Sequence, residues 1–219
     1  MLFHEIELWF DPVARVGPEA MAVDQWLLET RETPMMRVYQ WSGKWGSLGY
    51  FGSIEEANTS LPSREWVRRW TGGGIVDHCN DWTYSLVVPK KDSVAQMKGG
   101  ESYGAIHRVL VDVLREEIET VALAPSHGEG GGLCFQNAVE YDVVGESDEK
   151  IAGAAQRRSK SGLLHQGSVA VAGDSRLRGK LFAEKLAGSW CEVQVSPEKE
   201  RIEELVILRY GNESWLRRR

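Results

Sequence analysis

The alternation of apolar and polar residues predicts both strands and helices along this chain. Near-alternation over residues 3–10 predicts a strand at the edge of a sheet. An apolar stripe that begins with a proline predicts a helix over residues 17–30. The helical periodicity is clearest over residues 102–118, where Ser102 is placed to cap the first turn. These segments predict a fold that uses both kinds of secondary structure.

Shorter apolar runs between turn residues predict the remaining elements. Strands are predicted at residues 35–41, 47–51, 66–70, 82–88, 141–144 and 163–172. Helices are predicted at residues 54–61, 182–186 and 197–208. Because strands and helices do not alternate strictly, their order indicates an α+β fold. We expect one domain over residues 1–219, with a mixed β-sheet flanked by helices.

Composition and charge narrow the class of protein. The apolar fraction of 42% and the charged fraction of 26% are those of an ordinary globular domain. The formal net charge of −6 disfavours a nucleic-acid partner, because an acidic surface repels phosphates. The first residues lack the pattern of a secretory signal, and no apolar run approaches the roughly 18 residues that span a bilayer. We therefore expect a cytoplasmic protein with no membrane contact.

The cysteines support the same compartment. Cys79, Cys134 and Cys191 are odd in number and widely spaced, which disfavours a disulfide framework. They also lack the C-x-x-C spacing of a metal centre, so no metal site is expected. Free thiols are typical of a reducing compartment.

The segment R-R-W-T-G-G-G-I-V-D-H at residues 68–78 is the first candidate for ligand binding. Three glycines leave backbone N–H groups without side chains in front of them, so a ligand can approach the main chain closely. The neighbouring arginines could hold a carboxylate or a phosphate. The segment matches neither a P-loop nor a dinucleotide-binding fingerprint. A plain tight turn is the alternative interpretation.

Two later segments carry further candidates. Lys150 precedes the small residues Gly153 and Ala154, and its ammonium could polarise a carbonyl at the end of a narrow channel. The alternative is a surface lysine in a hairpin turn. In H-Q-G-S at residues 165–168, a histidine and a glycine within a strand indicate a close backbone approach or a bulge. The alternative there is an ordinary strand histidine.

In this order, the three segments resemble the lipoyl branch of the biotin/lipoate protein-ligase family. That branch carries R-R-x-[ST]-G-G-G-x-V-x-H, then K-[IV]-x-G-x-A, then H-x-G-[ST], and all three stand here in matching register. The segments S-L-G-Y-F at residues 47–51 and D-W-T-Y-S at residues 81–85 match as well. The resemblance covers about residues 20–172.

The resemblance implies a groove for a medium-length acyl chain, formed by a mixed sheet and its flanking helices. Lys150 would contact the carbonyl of the bound acyl group as a catalytic residue. The other residues implied to bind substrate are Arg69 and Thr71 near the carboxyl or phosphate end, Gly72, Gly73 and Gly74 beside the acyl tail, and His78, Gly153, Ala154, His165 and Gly167 along the groove.

The resemblance leaves the reaction open between two chemistries. Cys134 stands in G-L-C-F and resembles the C-F segment that holds the nucleophile of one octanoyltransferase branch. A thiolate beside a lysine is a competent nucleophile, because the cation lowers its pKa. This favours octanoyl transfer from acyl carrier protein to a lipoyl-domain lysine through a Cys134 thioester, with no cofactor. A buried structural cysteine is the alternative for Cys134.

Other members of the family are ATP-dependent lipoate–protein ligases that form lipoyl-AMP. Asp142 stands where such ligases tend to have an aspartate, which leaves room for lipoate with ATP and Mg²⁺ as co-substrates. A non-catalytic acyl-binding protein is a third possibility. No separate C-terminal accessory domain is expected. The expected acceptors are lipoyl-domain proteins of 2-oxoacid dehydrogenase or glycine cleavage complexes.

Overall fold

The structure is a computed structural model that describes residues 1–125 and 138–218. Its strands are β1 (Phe3–Phe10), β2 (Met35–Tyr39), β3 (Trp45–Leu48), β4 (Glu65–Arg68), β5 (Ile75–Asp77), β6 (Trp82–Pro89), β7 (Ala122–Leu123), β8 (Val143–Val144), β9 (Lys150–Arg158), β10 (Gly162–Val169) and β11 (Ala187–Glu192). Its helices are α1 (Gly17–Thr30), α2 (Ile54–Ser60), α3 (Ser93–Gln96), α4 (Gly99–Leu114), α5 (Ser175–Leu186), α6 (Lys199–Leu205) and α7 (Glu213–Leu216). A π-helical turn, Val206–Tyr210, follows α6.

Two sheets organise the described residues. The large sheet has the strand order β11-β1-β2-β6-β10-β9-β8-β7, and the small sheet has the order β4-β3-β5. In the large sheet, β1 pairs in parallel with β11 and β2, whereas the other pairs are antiparallel. The predicted α+β class with a mixed sheet is therefore confirmed.

The predicted edge position of β1 is wrong, although the strand itself is confirmed. β11 leaves α5 directly and pairs with β1 from Phe3↔Ala187 to Leu8↔Glu192, so β1 is an inner strand. The sequence did not reveal β11, because most of its residues are not buried and it lacks a clear alternation of apolar positions.

The helix predictions hold best where the apolar stripe is complete. α1 has the predicted bounds. α4 begins at Gly99 after the N-cap Lys98 and ends at Leu114, so the predicted cap at Ser102 is wrong. The Ser102 hydroxyl instead donates to Gly99 O and reaches Gln156 on β9. It thereby ties the first turn of α4 to the sheet.

Helices cover the large sheet on both faces. Val87 and Leu164 pack in the apolar cluster that includes α1, whereas their chain neighbours Leu86 and Leu163 pack in the cluster that includes α4 and α5. Because successive strand residues point to opposite faces, α1 lies on one face and α4 with α5 on the other. The site described below lies on the α1 side.

A fully buried arginine fixes α1 to the sheet. The Arg37 guanidinium on β2 lies 2.7 Å from Asp24 Oδ1 of α1 and 2.8 Å from Asp11 Oδ2. Burial opposes the charge of Arg37, yet Asp24 and Asp11 raise its pKa above the ordinary value. Asp24 also accepts hydrogen bonds from Ser85 (2.8 Å) and Gln166 (2.7 Å). The helix is thus held by charge-assisted hydrogen bonds as well as by apolar packing.

Two buried histidines make stability depend on pH. Burial lowers the pKa of His107 to about 4, and burial with the neighbouring His107 lowers the pKa of His165 well below its usual value. In the unfolded chain both side chains take up a proton as the pH falls through about 6.5. The unfolded state therefore binds more protons between about pH 6.5 and pH 4, and the free energy of unfolding falls over that range.

We expect urea unfolding to give a lower free energy of unfolding at pH 5 than at pH 7. His107→Gln removes one of the two titrating groups, so the difference between the two pH values becomes smaller. His4→Gln, at an exposed position, is the matched control and keeps the wild-type difference. An unchanged difference in His107→Gln would contradict this account of His107.

Candidate active site

A cleft on the α1 side of the sheet contains about 430 Å³ of empty space. This volume includes space that is open to solvent. The predicted site residues that line the cleft are Arg69, His78, Lys150, Gly153, Ala154 and Gly167. Cys134 lies outside the described residues. Thr71, His165 and the three glycines are placed differently, as the next paragraphs describe.

The glycine triplet packs against the wall of the cleft. Gly73 has a φ of +83°, a conformation that favours glycine. The carbonyl oxygens of Gly72 and Gly74 accept hydrogen bonds from Arg69 Nη2 at 3.1 and 2.9 Å. A Cβ added to Gly73 would lie 3.3 Å from Ala155 Cβ. The triplet thus contacts Arg69 and Ala155, which line the cleft, and contact of the glycines with an acyl chain stays a prediction.

The glycine triplet can pack in this position because Gly49 has no side chain. A Cβ added to Gly49 would lie 1.9 Å from Gly73 O, a backbone atom that cannot move aside. We expect Gly49→Ala to lower the free energy of unfolding by about 1–3 kcal/mol in urea. Gly72→Ala is the matched control, because a Cβ there meets no atom within 4 Å. Equal effects of the two substitutions would show that close packing at Gly49 is unimportant.

Thr71 holds the side chain of Gln166, which lines the cleft. The Thr71 hydroxyl donates to Gln166 Oε1 at 2.7 Å, and Gln166 Nε2 donates to Asp24. Gln166 lines the cleft, so Thr71 and α1 together fix an amide in its wall. The sequence indicated Thr71 through the resemblance but missed Gln166.

Lys150 brings a buried ammonium to the cleft. Its Nζ lies 2.6 Å from Asp142 Oδ2, and the two side chains are 4% and 0% exposed. A Cβ added to Gly153 would lie 2.7 Å from Lys150 Nζ, so the ammonium lies against that glycine. The alternative of a surface lysine is therefore wrong. The ammonium fits here because Gly153 has no side chain.

Tyr103 of the helix α4 and the backbone of Val139 also hold Asp142. Tyr103 OH donates to Asp142 Oδ1, Val139 N donates to Asp142 Oδ2, and Ala154 N donates to Tyr103 OH at 2.9 Å. Burial and the nearby Asp142 raise the pKa of Tyr103 well above its usual value, so the hydroxyl keeps its proton. These contacts fix the carboxylate that positions Lys150. No sequence motif marked Tyr103.

His78 also lines the cleft. Its Nε2 lies 2.6 Å from Ser47 Oγ, and its Nδ1 lies 2.7 Å from Asp81 Oδ2. Arg69 Nη1 also donates to Ser47 Oγ at 2.6 Å. Ser47 and Asp81 belong to the two smaller sequence matches, S-L-G-Y-F and D-W-T-Y-S, which could have indicated them.

The structure does not bring His165 to the cleft. Its ring contacts His107 and Tyr84 among the residues covered by α4 and α5. Its neighbour Gln166 points to the α1 side, as alternation along β10 requires. The side chain of His165 therefore belongs to the core on the opposite face, and a direct contact with substrate stays a prediction without geometric support.

Residues 17–205 match the family described as the lipoyl protein ligase A/B catalytic domain. The chain belongs to this family. Among curated relatives, octanoyltransferase LipM of Oceanobacillus iheyensis is 30% identical over 173 residues, which cover 74% of this chain and 63% of that protein. Octanoyltransferase LipM of Brevibacillus brevis is 32% identical over 166 residues, 68% of this chain and 60% of that protein. The chain spans about three fifths of the length of these relatives.

Solved structures share the fold of this chain. Protein Ta0514 of T. acidophilum with bound lipoic acid superposes with a TM-score of 0.74, at 21% identity over 97% of this chain and 98% of that chain. Lipoate-protein ligase A bound with ATP superposes with a TM-score of 0.73, at 20% identity over 99% and 98% of the two chains. The resemblance seen in the sequence motifs is thereby confirmed.

Two kinds of feature are absent from the described residues of the chain. Within residues 1–125 and 138–218, no group of three or more His, Cys, Asp or Glu side chains is placed to hold a metal ion. No helix of that part of the chain combines the length and the apolar character needed to cross a bilayer.

Proposed function

We propose that this protein transfers an octanoyl group from acyl carrier protein to a lysine of a lipoyl domain, through a thioester on Cys134. The observation that carries the proposal is the Lys150 ammonium, buried in the cleft and held 2.6 Å from Asp142 beside Gly153. Curated relatives at about 30% identity are named octanoyltransferases, which favours acyl transfer over ligation.

The proposed reaction has two acyl transfers. In the first, Cys134 loses its proton, its thiolate attacks the thioester carbonyl of the octanoyl carrier, and the C–S bond to the carrier breaks. The carrier thiolate then takes up the proton that Cys134 lost and leaves as a thiol. In the second, the acceptor amine attacks the Cys134 thioester, an amide forms, and the cysteine thiol is regenerated. Each transfer passes through a tetrahedral intermediate in which the former carbonyl oxygen is an oxyanion.

Lys150 is suited to stabilise that oxyanion. An ammonium has three N–H donors, so its pairing with Asp142 is compatible with a further hydrogen bond to a substrate oxygen. Its position is fixed before substrate arrives, because Tyr103 and Val139 hold Asp142. A fixed charge in a site that excludes water acts more strongly than a mobile surface charge.

The walls beside Lys150 suit an unbranched apolar chain. Gly153, Ala154, Ala155 and Gly167 all line the cleft, and none has a side chain larger than a methyl group. We assign the acyl tail to this wall and the carbonyl to the Lys150 end. Arg69 and His78 would then face the carrier thiol that leaves the site and the acceptor amine that enters it.

The test is acyl transfer without ATP, followed by intact mass spectrometry. Incubation with octanoyl acyl carrier protein is expected to add one octanoyl group to the chain, and addition of a lipoyl domain is expected to move that group onto the domain. Cys134→Ala is expected to abolish both steps, whereas Cys191→Ala, at an exposed position, is the matched control. Modification that requires free lipoate and ATP and survives Cys134→Ala would instead establish the ligase reaction. A domain that binds octanoate but gives no product in either assay would be a non-catalytic acyl-binding protein.

A further inference from the structure

Three arginines and three aromatic side chains form a closed cluster on the α1 side of the sheet. In order around the cluster, they are Arg157, Tyr50, Arg218, Trp215, Arg209 and Trp70. Each guanidinium lies over two of the three aromatic rings, and two guanidiniums share each aromatic ring. The distances from guanidinium carbon to ring centroid are 4.3–5.6 Å. We call these six side chains the arginine–aromatic cluster.

The guanidiniums of the cluster carry positive charge that no described carboxylate balances. None of the three forms a salt bridge within the part of the chain that the structure describes. Arg209 donates instead to the neutral amide oxygen of Gln25 at 2.7 Å. Aromatic faces attract a cation but do not cancel its charge. Three positive charges are therefore concentrated in one patch of a chain whose formal net charge is −6, and this patch attracts an anionic partner.

The cluster borders the cleft. Arg157 follows Ala155 of the cleft wall by two positions on β9, so the two side chains lie on the same face, about 7 Å apart along the strand. Trp70 directly precedes the segment that contains the glycine triplet. Phe51, whose ring centroid is 4.9 Å from that of Tyr50, is 87% exposed. Arginine and aromatic side chains are the residue types that are enriched in protein–protein interfaces.

The buried Arg68 guanidinium fixes two of the segments that form the cluster. Its Nη1 donates to the carbonyl oxygens of Tyr50 and Gly52 at 3.0 and 2.8 Å. Its Nη2 donates to the carbonyl oxygens of Leu216 and Arg218 at 2.7 and 2.9 Å. The cluster is thus arranged before a partner arrives, which reduces the entropy that is lost on docking.

The two macromolecules of the proposed reaction differ in the charge that they bring to the cleft. The acceptor presents a lysine ammonium, which three guanidiniums repel. The octanoyl carrier presents a neutral thioester, and the arm that holds it is joined to the carrier through a phosphodiester. Arginine binds phosphate and carboxylate oxygens through pairs of parallel hydrogen bonds. The charge of the cluster therefore matches the donor and not the acceptor.

We propose that the arginine–aromatic cluster and Phe51 form the docking surface for acyl carrier protein. The guanidiniums face the phosphodiester and the carboxylates around it, and Phe51 supplies an apolar contact at the edge. This inference rests on the proposed function, which makes the carrier the octanoyl donor. Contacts between charges speed association and are weakened by salt, which suits a donor that must leave after each transfer.

The test is the affinity of the full chain for octanoyl acyl carrier protein in which an amide replaces the thioester, measured by isothermal titration calorimetry at low and at high salt. The amide keeps the octanoyl group on the carrier, so binding is measured without transfer. We expect the double variant Arg157→Gln with Arg218→Gln to bind about tenfold or more weakly at low salt and to depend less on salt. Phe51→Ser removes an exposed apolar contact, so it is expected to weaken binding while the salt dependence stays that of the wild type.

Arg108→Gln is the matched control. Arg108 is exposed, lies 5.6 Å from the centroid of the Tyr141 ring and has no salt bridge to a described carboxylate, but it belongs to α4 on the opposite face of the sheet. Its affinity for the carrier and its salt dependence are expected to match those of the wild type.

Three results would overturn the docking surface. One is wild-type affinity for the carrier in both the double variant and Phe51→Ser. Another is weaker binding of a lipoyl domain with unchanged binding of the carrier, which would assign the cluster to the acceptor. The third is loss of binding to vesicles of anionic phospholipid with unchanged binding of the carrier, which would assign the cluster to a lipid surface.

The proposed function fails in a different way. A wild-type chain that binds the amide analogue through the cluster, yet forms no octanoyl adduct with the thioester form of the carrier, would overturn acyl transfer and leave the docking surface in place. A chain that forms the adduct equally fast in the wild type and the double variant, at carrier concentrations below saturation, would overturn the docking surface and leave acyl transfer in place.

Discussion

Lys150→Met is expected to reduce octanoyl transfer about 10²- to 10³-fold, the loss that follows removal of one oxyanion donor. Methionine keeps the length and the apolar stem of the side chain and removes only the ammonium. Lys160→Met is the matched control, since Lys160 is exposed on the turn between β9 and β10. The rate of transfer to a lipoyl domain at saturating octanoyl carrier measures the effect.

Loss of Lys150 also leaves Asp142 as a buried carboxylate without its cation, so stability is measured in the same samples. The double variant Lys150→Met with Asp142→Asn removes both charges and is expected to recover stability without recovering activity. A single variant that transfers octanoyl within threefold of the wild-type rate would contradict the role assigned to Lys150.

Arg37→Leu is expected to lower the free energy of unfolding by about 3–5 kcal/mol, the effect of breaking a buried ion pair from one side. Asp24 loses its cation in this variant, and Asp11 keeps only its pairing with Arg15 at 2.8 Å. Neither aspartate side chain is exposed. Urea unfolding monitored by tryptophan fluorescence gives the measurement.

Arg31→Leu is the control for removing an arginine that lies outside the core. Arg31 pairs with Glu7 at 3.4 Å, and both side chains are about one quarter exposed, so the expected change is below about 1 kcal/mol. If Arg37→Leu cost no more than Arg31→Leu, the buried network would not be what holds α1 to the sheet.

The sequence predicted those parts of the fold that are encoded locally. α1 has a complete apolar stripe with a proline in its first turn, and its bounds are as predicted. β5 has only three residues, and β11 is largely unburied, so neither has enough apolar periodicity to be recognised. β1 appeared to be an edge strand for the same reason, because the partner that covers it was not visible in the pattern.

In the candidate site as well, the sequence could indicate contacts between residues that are close along the chain, but not contacts between distant residues. The Lys150 ammonium and the glycine that admits it lie three positions apart, so one motif could indicate both. Tyr103 and Asp142 are 39 positions apart, and Ser47 and His78 are 31 positions apart, so only the folded chain shows that they are hydrogen-bonded. His165 shows the converse, because its motif matched the family while its side chain lies on the opposite face of the sheet from the cleft.

The position of the acyl head group tests the whole account most directly. A crystal structure with bound octanoate is expected to place a carboxylate oxygen about 3 Å from Lys150 Nζ, within hydrogen-bond distance. The tail should run along Gly153, Ala155 and Gly167. An octanoate bound on another face of the domain, or one whose carboxylate points away from Lys150, would contradict the assignment of this cleft to acyl transfer.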